Sequence, residues 1–242
     1  MTDDAENTSP RTQDREPRFP ATEALTRAAV DVAGVDGGAV SLIVDGAVAR
    51  DLLYANGFDA VRIDELQFTI GEGPCLDAFN TGTTIAVPDL TDPAGTTKWP
   101  EFASEVVAEL GVHAVLACPI TAHGAAVGVL ELHRRTPGPY ALAAVESARA
   151  IATALGPVIL TELVPGSHVG RTTTPGRPAG NYRLARADIN VAVGMLSTRL
   201  SVPIADAAAV LRARAYAKSM SVASIAHDIL YRATDVDFDF DA

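Results

Sequence analysis

The run PGSHVGRTTTPGRPAGN, from Pro165 to Asn181, decides how this chain is divided. It holds three prolines, four glycines and three consecutive threonines, with almost no apolar side chains. Such a composition can neither bury a core nor sustain a helix, so it predicts a flexible linker. Upstream of it, strand and helix periodicities alternate; downstream, only helical spacing remains. The expected organisation is a disordered lead-in over 1–18, an α+β domain over 19–164, the linker over 165–181, an all-helical module over 182–234 and an acidic tail over 235–242. A length of 242 residues suits one large domain or two small ones.

Charge follows the same division. From Arg183 to Arg232, seven Lys/Arg stand against three acids, a formal +4. Residues 1–164 carry ten against twenty-three, a formal −13. A chain of net charge −11 does not suit a polyanion as a whole, but a module of opposite sign does.

Within the first domain, Thr22 to Ala33 reads as a helix closed by glycines. Ala39 to Val44 and Ala47 to Tyr54 read as strands joined by Asp45-Gly46, a hairpin signal. Gly71 to Phe79 reads as a turn feeding a short helix, and Thr83 to Val87 as a short strand. Trp99 to Leu110 has a helical period and stops at Gly111. Ala114 to Thr121 and Ala125 to His133 form a second hairpin, and Tyr140 to Leu163 a long helix. Mostly antiparallel strands with helices packed on them give an α+β domain. In the last module, Leu184 to Leu200, a helix set up by Ser201-Val202-Pro203, and one after Ser221 each carry an apolar stripe. Each is marginal alone, and together they can close a core.

No window approaches eighteen consecutive apolar residues, so no membrane segment is expected. The N-terminal twenty residues lack the apolar stretch of a secretory signal. Two cysteines, Cys75 and Cys118, cannot make a disulfide framework, which fits a reduced, cytoplasmic protein. The five histidines show no metal-ligand spacing, and no nucleophile has a base beside it in sequence, so neither a metal nor a catalytic set is expected.

Residues Ile189, Ala192, Gly194, Met195, Leu196, Ala207, Leu211, Arg212, Ala215, Ser221, Ile225 and Ala226 resemble the pattern of the ANTAR domain, a three-helix RNA-binding module of bacterial antitermination regulators. The stretch DELQFTIGEGPCLDAF (Asp64 to Phe79), with Val87-Pro88-Asp89-Leu90, Trp99-Pro100 and GVLELH (Gly128 to His133), resembles the GAF domains found beside ANTAR in actinobacterial regulators. The resemblance implies an antiparallel sheet flanked by helices, followed by an all-α module. It implies a sensor, not an enzyme, that gates binding to tandem stem-loops in nascent RNA.

Loop RNA is read at splayed base edges while cations neutralise phosphates. Asn190 would offer an amide to a base; Arg186, Arg212, Arg214 and Lys218 would meet phosphates. Ala192 and Gly194 would mark a face of close RNA approach, although close helix packing would equally explain a mid-helix glycine. An unknown small molecule is expected between sheet and small helices, near Phe68, Cys75, Leu76, Trp99, Cys118 and Leu130. The cyclic-nucleotide motif and a haem or bilin attachment pattern are both missing, so no cofactor is expected. Cys75 reads either as a thiol activated at a helix start or as a small buried apolar residue. The alanine-rich helix Tyr140 to Leu163 would serve as a homodimer seam or only cover the sheet. Two other functions compete: a thiol-dependent methionine sulfoxide reductase using both cysteines, and a DNA-binding regulator.

Overall fold

The computed structural model describes residues 18–44, 49–164, 179–218, 220 and 222–231. Five strands carry the first domain: β1 (Gly37–Val44), β2 (Ala49–Asn56), β3 (Ile85–Val87), β4 (Ala114–Ala122) and β5 (Ala125–Arg134). They pair antiparallel in the order β2-β1-β5-β4-β3. Alternation along each strand gives the sheet two different faces.

The first face meets α1 (Pro20–Ala33) and α6 (Leu142–Leu163). Phe19, Val40, Leu116, Leu132, Leu155 and Ile159 fill that layer. Ala144, Ala148, Ala152 and Gly156 are small buried positions through which α6 comes close, while its Leu142 is exposed. The length and apolarity of α6 would suffice to cross a membrane, but its inner face is spent on the sheet. Glu162 near the end of α6 closes the start of α1. Its carboxylate accepts from the Ala21 amide (2.7 Å), the Thr22 amide (3.3 Å) and the Thr22 hydroxyl (2.6 Å). A buried anion there satisfies donors that a helix start leaves open and complements its dipole.

The second face meets α2 (Phe58–Ile70) and α3 (Pro74–Thr81), with α4 (Pro93–Lys98) and α5 (Pro100–Leu110) outside them. Four of these six helices, α1, α3, α4 and α5, begin with proline, whose fixed φ suits the first helical turn. Ile63, Leu90, Phe102, Val106 and Val115 pack between α2, α5 and the sheet.

The C-terminal module consists of α7 (Ala179–Leu200), α8 (Ile204–Ala217) and α9 (Val222–Tyr231). Ile189, Leu196, Ala207, Leu211, Ile225 and Ile229 close its core. The Ser197 hydroxyl donates to the Val202 carbonyl (2.7 Å) and pins the α7–α8 turn. One residue of this core comes from the other domain: Phe68 of α2.

The structure departs from the sequence reading in three elements, the first of which is α4 (Pro93–Lys98), a short helix in a stretch where no element was expected. The helix α2 was not expected, because its buried side includes Asp64 and Gln67 beside Ile63 and Leu66. The helix α7 begins at Ala179, inside the stretch read as linker. The Asp45-Gly46 turn, the remainder of the linker, the lead-in up to 17 and the acidic tail lie outside the described residues.

Candidate functional site

The second face of the sheet carries polar side chains where an apolar layer would be ordinary. Ser41 of β1, Arg50 of β2, Asp64 and Gln67 of α2, and Glu131 and His133 of β5 are all buried. Asp64 accepts from the Ser41 hydroxyl and from Arg50 Nη2, each at 2.5 Å. Gln67 acts as a bridge. Its Nε2 donates to Glu131 Oε2 (2.5 Å) and its Oε1 accepts from the Cys75 amide (2.8 Å). The Cys75 thiol donates to the same Glu131 oxygen. Among the described residues, Arg50 Nε and Nη1, Glu131 Oε1 and His133 Nδ1 have no hydrogen-bond partner. Retaining such groups inside costs about 1–3 kcal/mol each, so this interior is organised around polarity rather than packing.

Burial sets the charge states. The Glu131 carboxyl is pushed up by desolvation, offset in part by Cys75, Arg50 and Gln67. The Cys75 thiol is pushed well up, first by burial and then by Glu131. A helix start would lower it, but desolvation outweighs the dipole here. Burial also raises Cys118 to about 11 and lowers His133 to about 4.

Beside Gln67 a cleft of about 350 Å³ opens where α2, α3 and the α4–α5 corner meet α8. Phe68, Leu76 and Trp99 supply its apolar wall, and Arg212 reaches it from the C-terminal module. The run GEGPC shapes the approach. Gly71 has φ +83°, and a Cβ there would stand 3.0 Å from Arg212 Nε. Gly73 has φ +139°, and a Cβ there would fall 2.5 Å from Gln67 Cγ. One glycine makes room for the arginine and the other for the bridging amide.

The sequence model of the GAF domain family matches residues 21–159, more than half of the chain. This chain belongs to the GAF domain family. The matched span covers β1 to β5 and α1 to α5, so the buried polar set lies wholly inside the GAF domain. Solved structures similar to it include the GAF domains of phosphoenolpyruvate-protein phosphotransferases from Acinetobacter (16% identity, 61% of this chain and 84% of that one, TM-score 0.47) and from Coxiella burnetii (17%, 61% and 84%, 0.47). A type II free methionine-R-sulfoxide reductase from Thermoplasma acidophilum is similar at 14% identity over 59% of this chain and 92% of that one, TM-score 0.44. Likeness at this level carries neither ligand nor activity across. No curated protein matches the chain.

Four of the six expected pocket residues come together. Phe68, Leu76 and Trp99 line the cleft, and Cys75 sits behind it on Gln67. Cys118 and Leu130 do not join them. They are cross-strand partners on β4 and β5 and face α1 and α6, on the other side of the GAF sheet. The expected RNA contacts also separate. Ala192 is fully buried in the core of the module, so it packs and does not touch a ligand. Arg212 faces the cleft. Gly194 faces open space, with nothing within 4 Å of a Cβ placed there, which removes helix packing as its explanation. Asn190 is half-buried, its Oδ1 without a partner among the described residues. Arg214 is half-buried and Lys218 exposed; the Arg186 side chain lies outside the described residues. Ser41, Arg50, Asp64, Gln67, Glu131 and His133 were not read as site residues. Their signal was present: a charged side chain at an inward position of an apolar strand, as Glu131 is between Leu130 and Leu132.

Proposed function

We propose that this protein is a GAF sensor whose state controls an ANTAR-like module binding stem-loops in nascent RNA, as a transcription antitermination regulator. The observation that carries the gating is Phe68. It belongs to the helix that also holds Asp64 and Gln67, yet its ring completes the core of the C-terminal module. A change in the polar interior therefore has a packed route to the RNA module. The reversal of charge supports the RNA side, with a formal +4 module joined to a −13 body. Gly194, Arg214 and Lys218 remain as the contacts this reading favours. A protonated, buried Cys75, separated by the sheet from Cys118, supports a non-enzymatic role. The reading includes a cytoplasmic location and two modules per tandem RNA, with the outer face of α6 as the seam between copies.

Mobility shifts with a paired-stem-loop RNA and a duplex DNA of equal length test it. RNA retarded at a concentration that leaves DNA unbound is expected. Lys218→Ala should weaken RNA binding and reduce the salt slope by about one. Equal retardation of both nucleic acids would sink the RNA reading. Light scattering that shows one chain per RNA would remove the dimer.

A further inference from the structure

We propose that the cleft between the GAF domain and α8 binds a small aromatic carboxylate, with Arg212 holding the carboxylate and Phe68 and Trp99 flanking the ring. This deepens the sensor reading by naming the class of signal, and it rests on that reading only for what the ligand does.

The argument starts from charge matching in the cleft. Lys98 pairs with Asp77 at 2.7 Å. Asp77 also accepts from the Trp99 indole N–H at 3.2 Å. Glu72 accepts from the Glu101 and Phe102 amides, both at 2.9 Å, and so closes the start of α5. Each of these charges has its partner. Arg212 alone has none: its guanidinium makes no hydrogen bond or ion pair with a described residue, although it is partly buried. A half-desolvated guanidinium with its donors unspent is a fork suited to a planar, bidentate anion.

Shape and surroundings narrow the class. A volume of about 350 Å³ lies at the small end of ligand pockets. Phe68, Leu76 and Trp99 provide apolar wall, which suits a flat ring rather than a sugar or inorganic phosphate. An RNA backbone fits poorly, because a cleft of about 350 Å³ admits a single small ring and not an extended chain. The walls come from both modules, so an occupant would bind the docked arrangement more tightly than a separated one and shift the population towards it. RNA contact by Arg212 and ligand contact by Arg212 would then exclude one another.

Trp99 is the single tryptophan of the chain, and its emission reports the cleft. The full chain is titrated with benzoate, benzamide and inorganic phosphate at constant ionic strength, without RNA. A saturable emission change with benzoate is expected, with benzamide and phosphate at least about tenfold weaker, the worth of one charge-assisted pair. Arg212→Gln should lose about tenfold in benzoate affinity, and Arg27→Gln, an exposed position on α1 away from the cleft, should lose none. Unfolding midpoints equal to wild type show that both variants fold. No saturable response, equal response to benzamide or to phosphate, or an Arg212→Gln variant that binds as wild type would each overturn the proposal. Because RNA is left out, a failure here is distinct from a failure of RNA binding.

Discussion

The Cys75 thiol donates to the Glu131 carboxylate in the interior of the GAF domain, and both side chains are almost wholly buried. The thiol keeps its proton, since burial and the neighbouring carboxyl both oppose the thiolate. Cys118 is shielded in the same way, raised to about 11. Iodoacetamide should therefore label neither cysteine in the folded chain over a period in which the denatured chain labels both. Rapid labelling of Cys75 in the folded state would revive a thiol chemistry, and with it a thiol-dependent turnover that Cys75→Ser abolishes.

Glu131 predicts a dependence of stability on pH. Its folded value lies above the ordinary 4.5 because burial disfavours the anion. The folded chain thus holds that proton more tightly than the unfolded one. This contribution is complete below the ordinary value and is lost as pH rises through the folded one. Gln at this position keeps an oxygen for the Gln67 and Cys75 donors and removes the ionisation. Glu131→Gln should gain on wild type in urea midpoint as pH rises above the ordinary carboxyl value. Parallel curves would place the titration elsewhere.

His133 acts in the opposite direction. Desolvation outweighs Asp59 and Asp36 and depresses it from 6.5 to about 4. The unfolded chain takes the proton first, so stability is full above 6.5 and is lost as pH falls towards 4. The loss should amount to about 3 kcal/mol across that window. His133→Phe, which retains a ring against Gly37, should flatten this limb of the urea profile. An unaltered limb would show that other groups carry it.

The sequence displayed the fold best where one residue type dominated each face. The hairpin of β4 and β5 was legible as two largely apolar runs joined across Ala122-His123-Gly124, and α6 from its alanine and leucine spacing. The site was least legible because its residues disturb those patterns. Asp64 and Gln67 on the buried side of α2 break the apolar period, so the helix itself went unseen. Reading Leu130 into the pocket instead of Glu131 is a slip of one residue, and on a strand that is a change of face. That Arg212 turns to the GAF domain has no local signal at all. It follows from tertiary docking of a segment 141 residues beyond Gly71.

Phe68 should hold the two modules as one cooperative unit. Three short helices with a core of this size are marginal alone. Removing the ring leaves a cavity in a core that it closes from outside. Phe68→Ala should cost about 3–5 kcal/mol, less where the site collapses. Calorimetry should show the C-terminal module melting ahead of the GAF domain where wild type gives a single transition. One transition in both chains would mean that Phe68 does not link them.

Gly194 gives a prediction with two signs. It lies within α7, where glycine is less favourable than alanine by about 1 kcal/mol. A Cβ there meets nothing within 4 Å, so Gly194→Ala adds helix propensity without a clash. The module should become more stable by up to about 1 kcal/mol. A glycine at this position fits a face that something approaches closely, and RNA is the partner proposed for it. The same variant should therefore bind the stem-loop RNA more weakly while unfolding at a higher temperature. Paired melting and mobility-shift measurements on one preparation separate the effects. Higher stability with unchanged RNA affinity would move the RNA contact off this face of α7.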